Sequence, residues 1–376
     1  MRVPKLQVHA SGRGDVGSMR DEMNRLMVVL LTWVLTADST LLVHYTWRSA
    51  QRPGRSGRCV MVGRDKSPCE EKDQPASAMD QSLHSYMRLG LVQGVAFPAS
   101  GDDPEAFLDG VEQIASDDFF AAIEVHCMPD DALRRRVVDV LRASQLGVVY
   151  TAYPRLCAPG LDLGSLDDAV RSRAVEAGKR VIDEAIELGA ERVTVVSGPD
   201  PGGERRDGGT EALIDSLCAL AAYSAAHCGP PLALEPFPRG GERGYLIGPT
   251  AEAIGIVRLV REMFPDFGLV LDTGHLALLG EDVATAFAAA APYLEQVHLA
   301  NAVLGAGTAA PPFGVAGGMY DVPRVADVLL ALFRVGFLGA GRRPLVCVRV
   351  APRPSERPAW VIAGAKRTLA AAWARL

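Results

Sequence analysis

From residue 87 to the C-terminus, short apolar runs alternate with longer amphipathic segments. The apolar runs are nearly continuous, which is typical of parallel strands that are buried on both faces. The longer segments repeat apolar residues at a helical spacing and are bounded by capping and turn residues. The pattern therefore predicts eight strand–helix pairs over about 290 residues.

The same pattern bounds the predicted elements. The predicted strands cover residues 89–97, 119–126, 147–153, 192–197, 231–237, 267–272, 294–300 and 344–350. The predicted helices cover residues 103–116, 130–144, 165–188, 209–227, 250–264, 282–292, 322–333 and 358–373, with Ser165 as the N-cap of the third. Eight such units favour a closed (β/α)₈ TIM barrel, in which chemistry takes place at the C-terminal ends of the strands. A doubly wound open sheet is the alternative, and the lack of a Gly-x-Gly-x-x-Gly motif after the first strand counts against it.

Residues 1–78 differ in composition from the rest of the chain. They hold 12 Lys and Arg against 8 Asp and Glu, a net charge of +4, and since the whole chain carries −6, residues 79–376 carry −10. Residues 48–78 are rich in Arg, Gly, Ser and Pro without a sustained period, which predicts a linker-like or disordered segment. An apolar stretch at 21–36 is compatible with a short helix. We therefore predict an N-terminal extension at 1–78 and a barrel at 79–376, with translation from Met79 as an alternative.

Composition and charge narrow the classes of function. A net charge of −6 argues against a nucleic-acid-binding protein, and no apolar run approaches the ~20 residues that span a bilayer. The seven cysteines are odd in number and include no Cys-x-x-Cys pair, which indicates a reducing, cytoplasmic setting instead of a disulfide framework. We expect a small-molecule substrate and no nucleic-acid or membrane partner, and the sequence is compatible with a homodimer.

Carboxylate and imidazole side chains follow three successive predicted strands. Glu235 ends the fifth strand, Asp272 and His275 follow the sixth, and His298 and Asn301 end the seventh. Since the C-terminal ends of barrel strands meet at one mouth, we expect these side chains to share a pocket. Carboxylates beside neutral imidazoles suit a divalent metal ion such as Mn²⁺, Mg²⁺, Co²⁺ or Zn²⁺.

Four residues are candidates for contact with substrate. Glu124 and His126 alternate on the second strand and share one face, which points either into the barrel or toward the outer helices. Tyr153 lies at the end of the third strand, and Asn301 at the end of the seventh.

The strand ends also carry a set of recognisable motifs. They read LEP at 234–236, LDTGH at 271–275 and VHLAN at 297–301, with SGPDPGGERR after the fourth strand and PPFGVAGGMYD after the seventh. Over residues 83–376 this set resembles the xylose isomerase-like TIM-barrel superfamily. Within it, the chain resembles the sugar phosphate isomerase/epimerase branch, which includes ketose 3-epimerases, hydroxypyruvate isomerases and inosose dehydratases.

The resemblance implies a metal-dependent isomerase or epimerase. By this resemblance, Glu235, Asp272 and His298 are metal ligands. It also implies that His275 contacts a metal-bound water or a substrate oxygen, and that Glu235 serves as an acid or base.

One position departs from the family pattern. Relatives place a glutamate, their fourth metal ligand, at the end of the eighth strand, whereas this chain has Arg349 there. A guanidinium has five N–H donors and no acceptor, so it cannot bind a metal ion, and its charge weakens metal binding nearby. Arg349 can instead pair with Glu235, Asp272 or Glu124. It can also stabilise an enolate or hold a substrate carboxylate.

Three functions stay open at this point. The first is a metal-assisted sugar isomerase or epimerase, with lyase chemistry as the second choice, that removes a proton alpha to a carbonyl and forms an enediolate. The second is a metal-independent enzyme in which Glu235, His275 and Arg349 act as acid, base and anion clamp. The third is a small-molecule-binding barrel without catalysis.

Overall fold

Eight strands from residue 88 onward form a barrel. The structure, a computed structural model, describes residues 32–35, 41–45, 59–62, 81–98, 103–128, 130–240, 244–305 and 308–376. The barrel strands are β1 (Arg88–Val92), β2 (Ala122–His126), β3 (Gly147–Thr151), β4 (Arg192–Val196), β5 (Leu232–Glu235), β6 (Gly268–Asp272), β7 (Leu294–Ala300) and β8 (Leu345–Arg349). The outer helices are α1 (Pro104–Ala115), α2 (Asp131–Ser144), α3 (Asp168–Leu188), α4 (Arg206–Ala226), α5 (Thr250–Arg261), α6 (Val283–Ala290), α7 (Val322–Arg334) and α8 (Pro358–Trp373).

The strands pair in parallel and in chain order, and β8 pairs with β1, so the sheet closes without an edge. The register places His298 of β7 beside Asp272 of β6 on one side and Cys347 of β8 on the other. The strands are buried along nearly all of their length, as expected for a barrel covered by helices. The predicted (β/α)₈ barrel is confirmed.

Aspartate side chains cap five of the eight outer helices. The capping residues are Asp103, Asp130, Asp167, Asp282 and Asp321. Each accepts a hydrogen bond from a backbone N–H of the first turn, where the helix itself supplies no acceptor. The cap of α3 is Asp167, so the predicted cap at Ser165 is wrong.

After three of the strands the structure has a helical segment that the sequence pattern did not predict. β1 ends at Val92, and Gln93–Ala96 forms a helical turn. β3 ends at Thr151, and Tyr153–Leu156 is helical. After β6, Thr273–Leu279 forms a helix that was not predicted. The reason is common to all three, because the period of a short apolar run does not separate a strand from a buried helical turn.

Ion pairs lie at the N-terminal end of the barrel, opposite the end at which the strands finish. Arg88 at the start of β1 donates two hydrogen bonds to Glu191, at 2.7 and 2.6 Å. Arg192 at the start of β4 lies 3.2 Å from Glu295 of β7. In this fold the N-terminal face contributes stability, and the C-terminal face is left for chemistry.

Met1–Pro75 and Ala76–Leu376 form two units. In the first unit the described residues are three antiparallel strands, Thr32–Leu35, Leu41–Tyr45 and Cys59–Val62. The helix predicted at 21–36 is therefore wrong over 32–35, where β-branched and aromatic residues favour a strand. Cys59–Val62 is a strand inside the segment predicted as a linker, and the rest of both predictions falls outside the described residues.

No helix in the described part of the chain is long and apolar enough to cross a membrane. The cytoplasmic location and the homodimer stay predictions.

Candidate active site

The C-terminal ends of β5 to β8 hold a cluster of buried polar side chains. Glu235, Asp272, His275 and His298 are each no more than 3% exposed. Arg349, from the end of β8, reaches the same cluster with 16% of its side chain exposed. Parallel strands that end at one mouth bring these residues together, although they are far apart in the sequence.

Asp272 joins the end of β6 to the short helix that follows. Its Oδ1 accepts a hydrogen bond from the backbone N–H of His275 at 2.8 Å and so caps Thr273–Leu279. Its Oδ2 accepts a hydrogen bond from Arg349 Nη1 at 3.2 Å. The cap places the His275 ring over the pocket, where its Nδ1 lies 3.6 Å from Glu235 Oε1.

His298 lies between two carboxylates. Its Nδ1 is 3.1 Å from Glu235 Oε1, and its Nε2 is 2.8 Å from Glu124 Oε2. Burial lowers the pKa of His298, but the two carboxylates raise it well above its ordinary value, so the metal-free ring is a cation that donates from both nitrogens. Glu124 therefore faces the barrel interior, which is one of the two orientations that the strand pattern allows.

Two residues beneath His298 were not predicted from the sequence. Gln296 Nε2 donates to Glu124 Oε2 at 2.6 Å, and it lies 3.6 Å from Cys347 Sγ. A Cβ at Gly90 would lie 2.6 Å from the same sulfur, so this thiol needs glycine on β1. The two-residue period of a strand could have identified Gln296, because it lies two residues before His298 on the same face of β7.

Arg349 contacts both an acid and a base of the cluster. Its Nη1 donates to Asp272 Oδ2 and to His275 Nε2, each at 3.2 Å. Because His275 Nε2 accepts this bond, the neutral ring carries its proton on Nδ1, the nitrogen that faces Glu235. Burial lowers the pKa of His275; Asp272 opposes the shift and Arg349 adds to it, so this ring is neutral.

Nearby positive charge keeps two of the buried carboxylates ionised. Burial raises the pKa of Asp272, but the Arg349 guanidinium, the His298 cation and the backbone N–H of His275 lower it below its usual value. Burial likewise raises the pKa of Glu124, and His298 more than offsets that effect. The pocket floor therefore holds anions whose charge is balanced by protein cations.

Tyr153, Phe237 and Tyr245 form an aromatic wall beside His275. Phe237 packs on the His275 ring with 4.3 Å between centroids. Tyr153 stacks on Phe237 at 5.0 Å with 9° between the ring planes, and the Tyr245 hydroxyl donates to that of Tyr153 at 3.2 Å. Tyr153, predicted to contact substrate, thus lies one ring away from His275.

Two other residues predicted to contact substrate have partners outside the cluster. The His126 ring packs edge-on against Phe107 of α1 at 5.2 Å. Asn301 donates to the carbonyl oxygen of Pro312 at 2.9 Å and accepts from the backbone N–H of Tyr320 at 2.8 Å, so it anchors the loop before α7. Contact of either residue with substrate stays a prediction.

The possible ligand atoms in the pocket suit a divalent cation in both their chemistry and their spacing. Ligand atoms of Glu235, Asp272 and His275 lie within 4.8 Å of one another. His298 Nδ1 lies 3.1 Å from Glu235 Oε1 and 3.9 Å from Asp272 Oδ2. Carboxylate oxygens with imidazole nitrogens suit ions such as Mn²⁺, Co²⁺ and Zn²⁺. Arg349 stands at the edge of this set and offers it no lone pair.

Glu124, His298 and Cys347 form a second group of donors within 4.8 Å. Burial and the charge of Glu124 raise the pKa of the Cys347 thiol well above its usual value. In the metal-free protein this thiol therefore keeps its proton. The group lies beneath the cluster, where Glu124 accepts hydrogen bonds from His298 and Gln296.

A protein-family model described as the xylose isomerase-like TIM barrel matches residues 108–332, which is more than half of the chain. The chain belongs to this family. The match begins in α1 and ends in α7, so it contains Glu235, Asp272, His275 and His298, whereas Arg349 lies beyond it.

Several solved structures share the fold of this family member. An L-ribulose 3-epimerase is 20% identical, with a TM-score of 0.57 over 77% of this chain and 96% of that chain. A 3-keto-D-glucoside 4-epimerase from E. coli is 16% identical, with a TM-score of 0.56 over 75% and 98%. A family 2 AP endonuclease from Brucella melitensis is 18% identical, with a TM-score of 0.56 over 74% and 98%. No curated protein sequence matches the chain.

Proposed function

We propose that this protein is a metal-assisted isomerase of the sugar isomerase/epimerase kind, which removes a proton from the carbon next to a carbonyl. The observation that carries the proposal is the position of Glu235 Oε1, which lies 3.1 Å from His298 Nδ1 and 3.6 Å from His275 Nδ1 in a buried pocket. A carboxylate held between two imidazoles, with the Arg349 cation nearby, is equipped for proton abstraction. The sugar epimerases among the structural neighbours support a small oxygenated substrate.

Glu235 acts as the base in this scheme. Its carboxylate takes the proton from the carbon beside the carbonyl. The electron pair of the C–H bond forms a carbon–carbon double bond, and the π pair of the carbonyl moves to its oxygen to give an enediolate. Arg349 stabilises the negative oxygen with its N–H donors. Protonated Glu235 then returns the proton to the neighbouring carbon, and the hydroxyl proton moves between the two oxygens, a transfer that we assign to His275.

Glu235, Asp272 and His298 are the residues that would hold the metal ion. A bound divalent cation would polarise the carbonyl and stabilise the enediolate oxygens.

A single base favours isomerisation over epimerisation. Epimerisation at one carbon needs a proton donor on the face opposite the base, and the family resemblance implies a second glutamate for this step. This chain has Arg349 there, and a guanidinium does not release its proton in a protein. Proton transfer between adjacent carbons on one face needs only Glu235. Lyase chemistry stays a prediction.

Exchange of substrate protons with solvent tests the proposal. The wild-type protein and the Glu235→Gln variant are incubated with Mn²⁺ in D₂O, with D-fructose, L-ribulose or hydroxypyruvate as the probe, and loss of the C–H signal next to the carbonyl is followed by NMR. We expect exchange of at least one probe by the wild type and none by the variant, because an amide cannot accept the proton. Glu112→Gln, on the exposed face of α1, is the matched control and should exchange like the wild type. Equal exchange by Glu235→Gln, or no exchange of any probe by the wild type, would contradict the proposal.

The contacts of Arg349 support a second candidate, a metal-independent isomerase. Its Nη1, bonded to Asp272 and His275, supplies a fixed positive charge at the pocket without a metal ion. The same exchange assay on protein stripped with EDTA separates the two candidates. Loss of exchange that added Mn²⁺ restores supports the metal-assisted enzyme, whereas full exchange in the stripped protein supports the metal-independent one.

A further inference from the structure

Glu124 of β2 contacts the active-site cluster from below. Its Oε2 accepts hydrogen bonds from His298 Nε2 at 2.8 Å and from Gln296 Nε2 at 2.6 Å. All three side chains are at most 2% exposed. Gln296 Nε2 also lies 2.8 Å from His298 Nε2, and both nitrogens face the same oxygen of Glu124. The His298 ring is therefore held at both of its nitrogens, by Glu124 on one side and Glu235 on the other.

We infer that Glu124 is a positioning residue, which prepares His298 as a metal ligand and offsets the charge of Arg349. The inference rests on the metal-assisted form of the proposed function and adds to it a residue from outside the predicted ligand set.

The first part of the inference concerns the orientation of the imidazole. A ligating histidine must present a lone pair, and its other nitrogen normally donates to a carboxylate or carbonyl that fixes the tautomer. With Nε2–H donating to Glu124, neutral His298 presents the lone pair of Nδ1 toward Glu235 and Asp272. Gln296 holds the Glu124 carboxylate in turn.

The second part concerns charge. Glu235, Asp272 and Arg349 together carry −1, which is half of what a divalent cation needs for balance. Glu124 brings the cluster to −2 when both imidazoles are neutral, which matches one divalent cation. Because uncompensated charge is costly in a protein interior, Glu124 makes a metal ion tolerable beside Arg349.

Titration of the full chain with Mn²⁺ tests both parts. Glu124→Gln keeps an acceptor for His298 Nε2–H but removes the charge, whereas Glu124→Met has a similar size and removes both. Loss of a carboxylate behind a ligating histidine typically weakens metal binding by about 10–100-fold, so we expect a loss near the lower end for Gln and near the upper end for Met. Glu112→Gln, which makes the same chemical change on the exposed face of α1, is the matched control, and its affinity should equal that of the wild type.

A compensating substitution separates a charge role from a merely structural one. The double variant Glu124→Gln/Arg349→Met again carries −2 when both imidazoles are neutral, so its Mn²⁺ affinity should recover relative to Glu124→Gln. If Glu124 only maintained packing, the second substitution would not restore the Mn²⁺ affinity. Thermal unfolding of every variant, followed by circular dichroism, shows which of them are folded and can be compared.

Unchanged Mn²⁺ affinity in folded Glu124→Met would overturn the inference, as would a wild-type protein that binds no Mn²⁺. No recovery in the double variant would overturn its charge part. A wild-type protein that binds no Mn²⁺ would also contradict the metal-assisted form of the proposed function. The results for the Glu124 variants do not bear on the removal of a proton by Glu235, which the deuterium exchange of Glu235→Gln tests by itself, so the two failures are distinguishable.

Discussion

Replacing Arg349 with glutamate reverses the charge at the edge of the predicted metal site. In the wild type, Arg349 Nη1 lies 3.2 Å from Asp272 Oδ2, an oxygen of the predicted ligand set. A unit positive charge about 5 Å from a divalent cation costs roughly 2 kcal/mol at the dielectric constant of water and roughly 7 kcal/mol at an effective value of 20. Charge reversal doubles the change, so even the lower figure corresponds to Mn²⁺ binding that is at least about 100-fold tighter in Arg349→Glu.

Calorimetric titration of both proteins with Mn²⁺, and then with Co²⁺, measures the effect. Arg349→Met is the control that removes the charge without adding a ligand, and its affinity should lie between the other two. Without metal, Arg349→Glu should unfold at a lower temperature than the wild type, because it places another carboxylate beside Asp272, and added Mn²⁺ should restore the unfolding temperature.

Equal or tighter Mn²⁺ binding by the wild type would show that Arg349 lies outside the electrostatic reach of the metal site. The native reaction should decline in Arg349→Glu, since the enediolate loses its N–H donors. Unchanged turnover would remove Arg349 from the proposed mechanism.

Four further outcomes are expected. Asp167→Ala removes the cap of α3 and should lower the free energy of unfolding by about 1 kcal/mol in a urea titration; an unchanged midpoint would contradict the cap. Phe237→Ala should cost about 3 kcal/mol and should also slow exchange, because it removes packing from the aromatic wall; normal stability would argue against that packing. The pKa of Asp272 is lowered in the folded protein. Its ion pair with Arg349 therefore stabilises the fold above about pH 4, and this stabilisation is lost as the pH falls through the lowered pKa. The acid limb of a plot of Tm against pH should be shallower in Asp272→Asn. A fragment of residues 79–376 should unfold at the temperature of the full chain, and an insoluble fragment would refute this division.

The barrel is predictable from the sequence because its strands are buried on both faces and so appear as separate apolar runs. The ends of these runs identify Glu235, Asp272, His275, His298 and Arg349, since parallel barrel strands end at one mouth. The helix Thr273–Leu279 is not predictable in this way, because its few apolar residues have no measurable period.

The interior layer beneath the site is harder to predict. On a strand with two apolar faces, the two-residue period assigns alternate residues to opposite faces. It does not say which of the two faces points into the barrel. Whether Glu124 and Gln296 point into the barrel depends on how each strand is rotated about its own axis. That rotation is set by the closure of the whole barrel. Glu124 lies 172 positions from Gln296 and 174 positions from His298, both of which it contacts, and no local pattern reports these contacts.

Asp272 performs two tasks with its two oxygens, and this restricts how the protein can be redesigned. Oδ1 begins the helix that carries His275, while Oδ2 faces the pocket. Glutamate would carry its carboxylate about 1.5 Å farther from the backbone, so it could not serve both from the same strand end. Retuning the pocket at this position would therefore loosen the helix beneath His275.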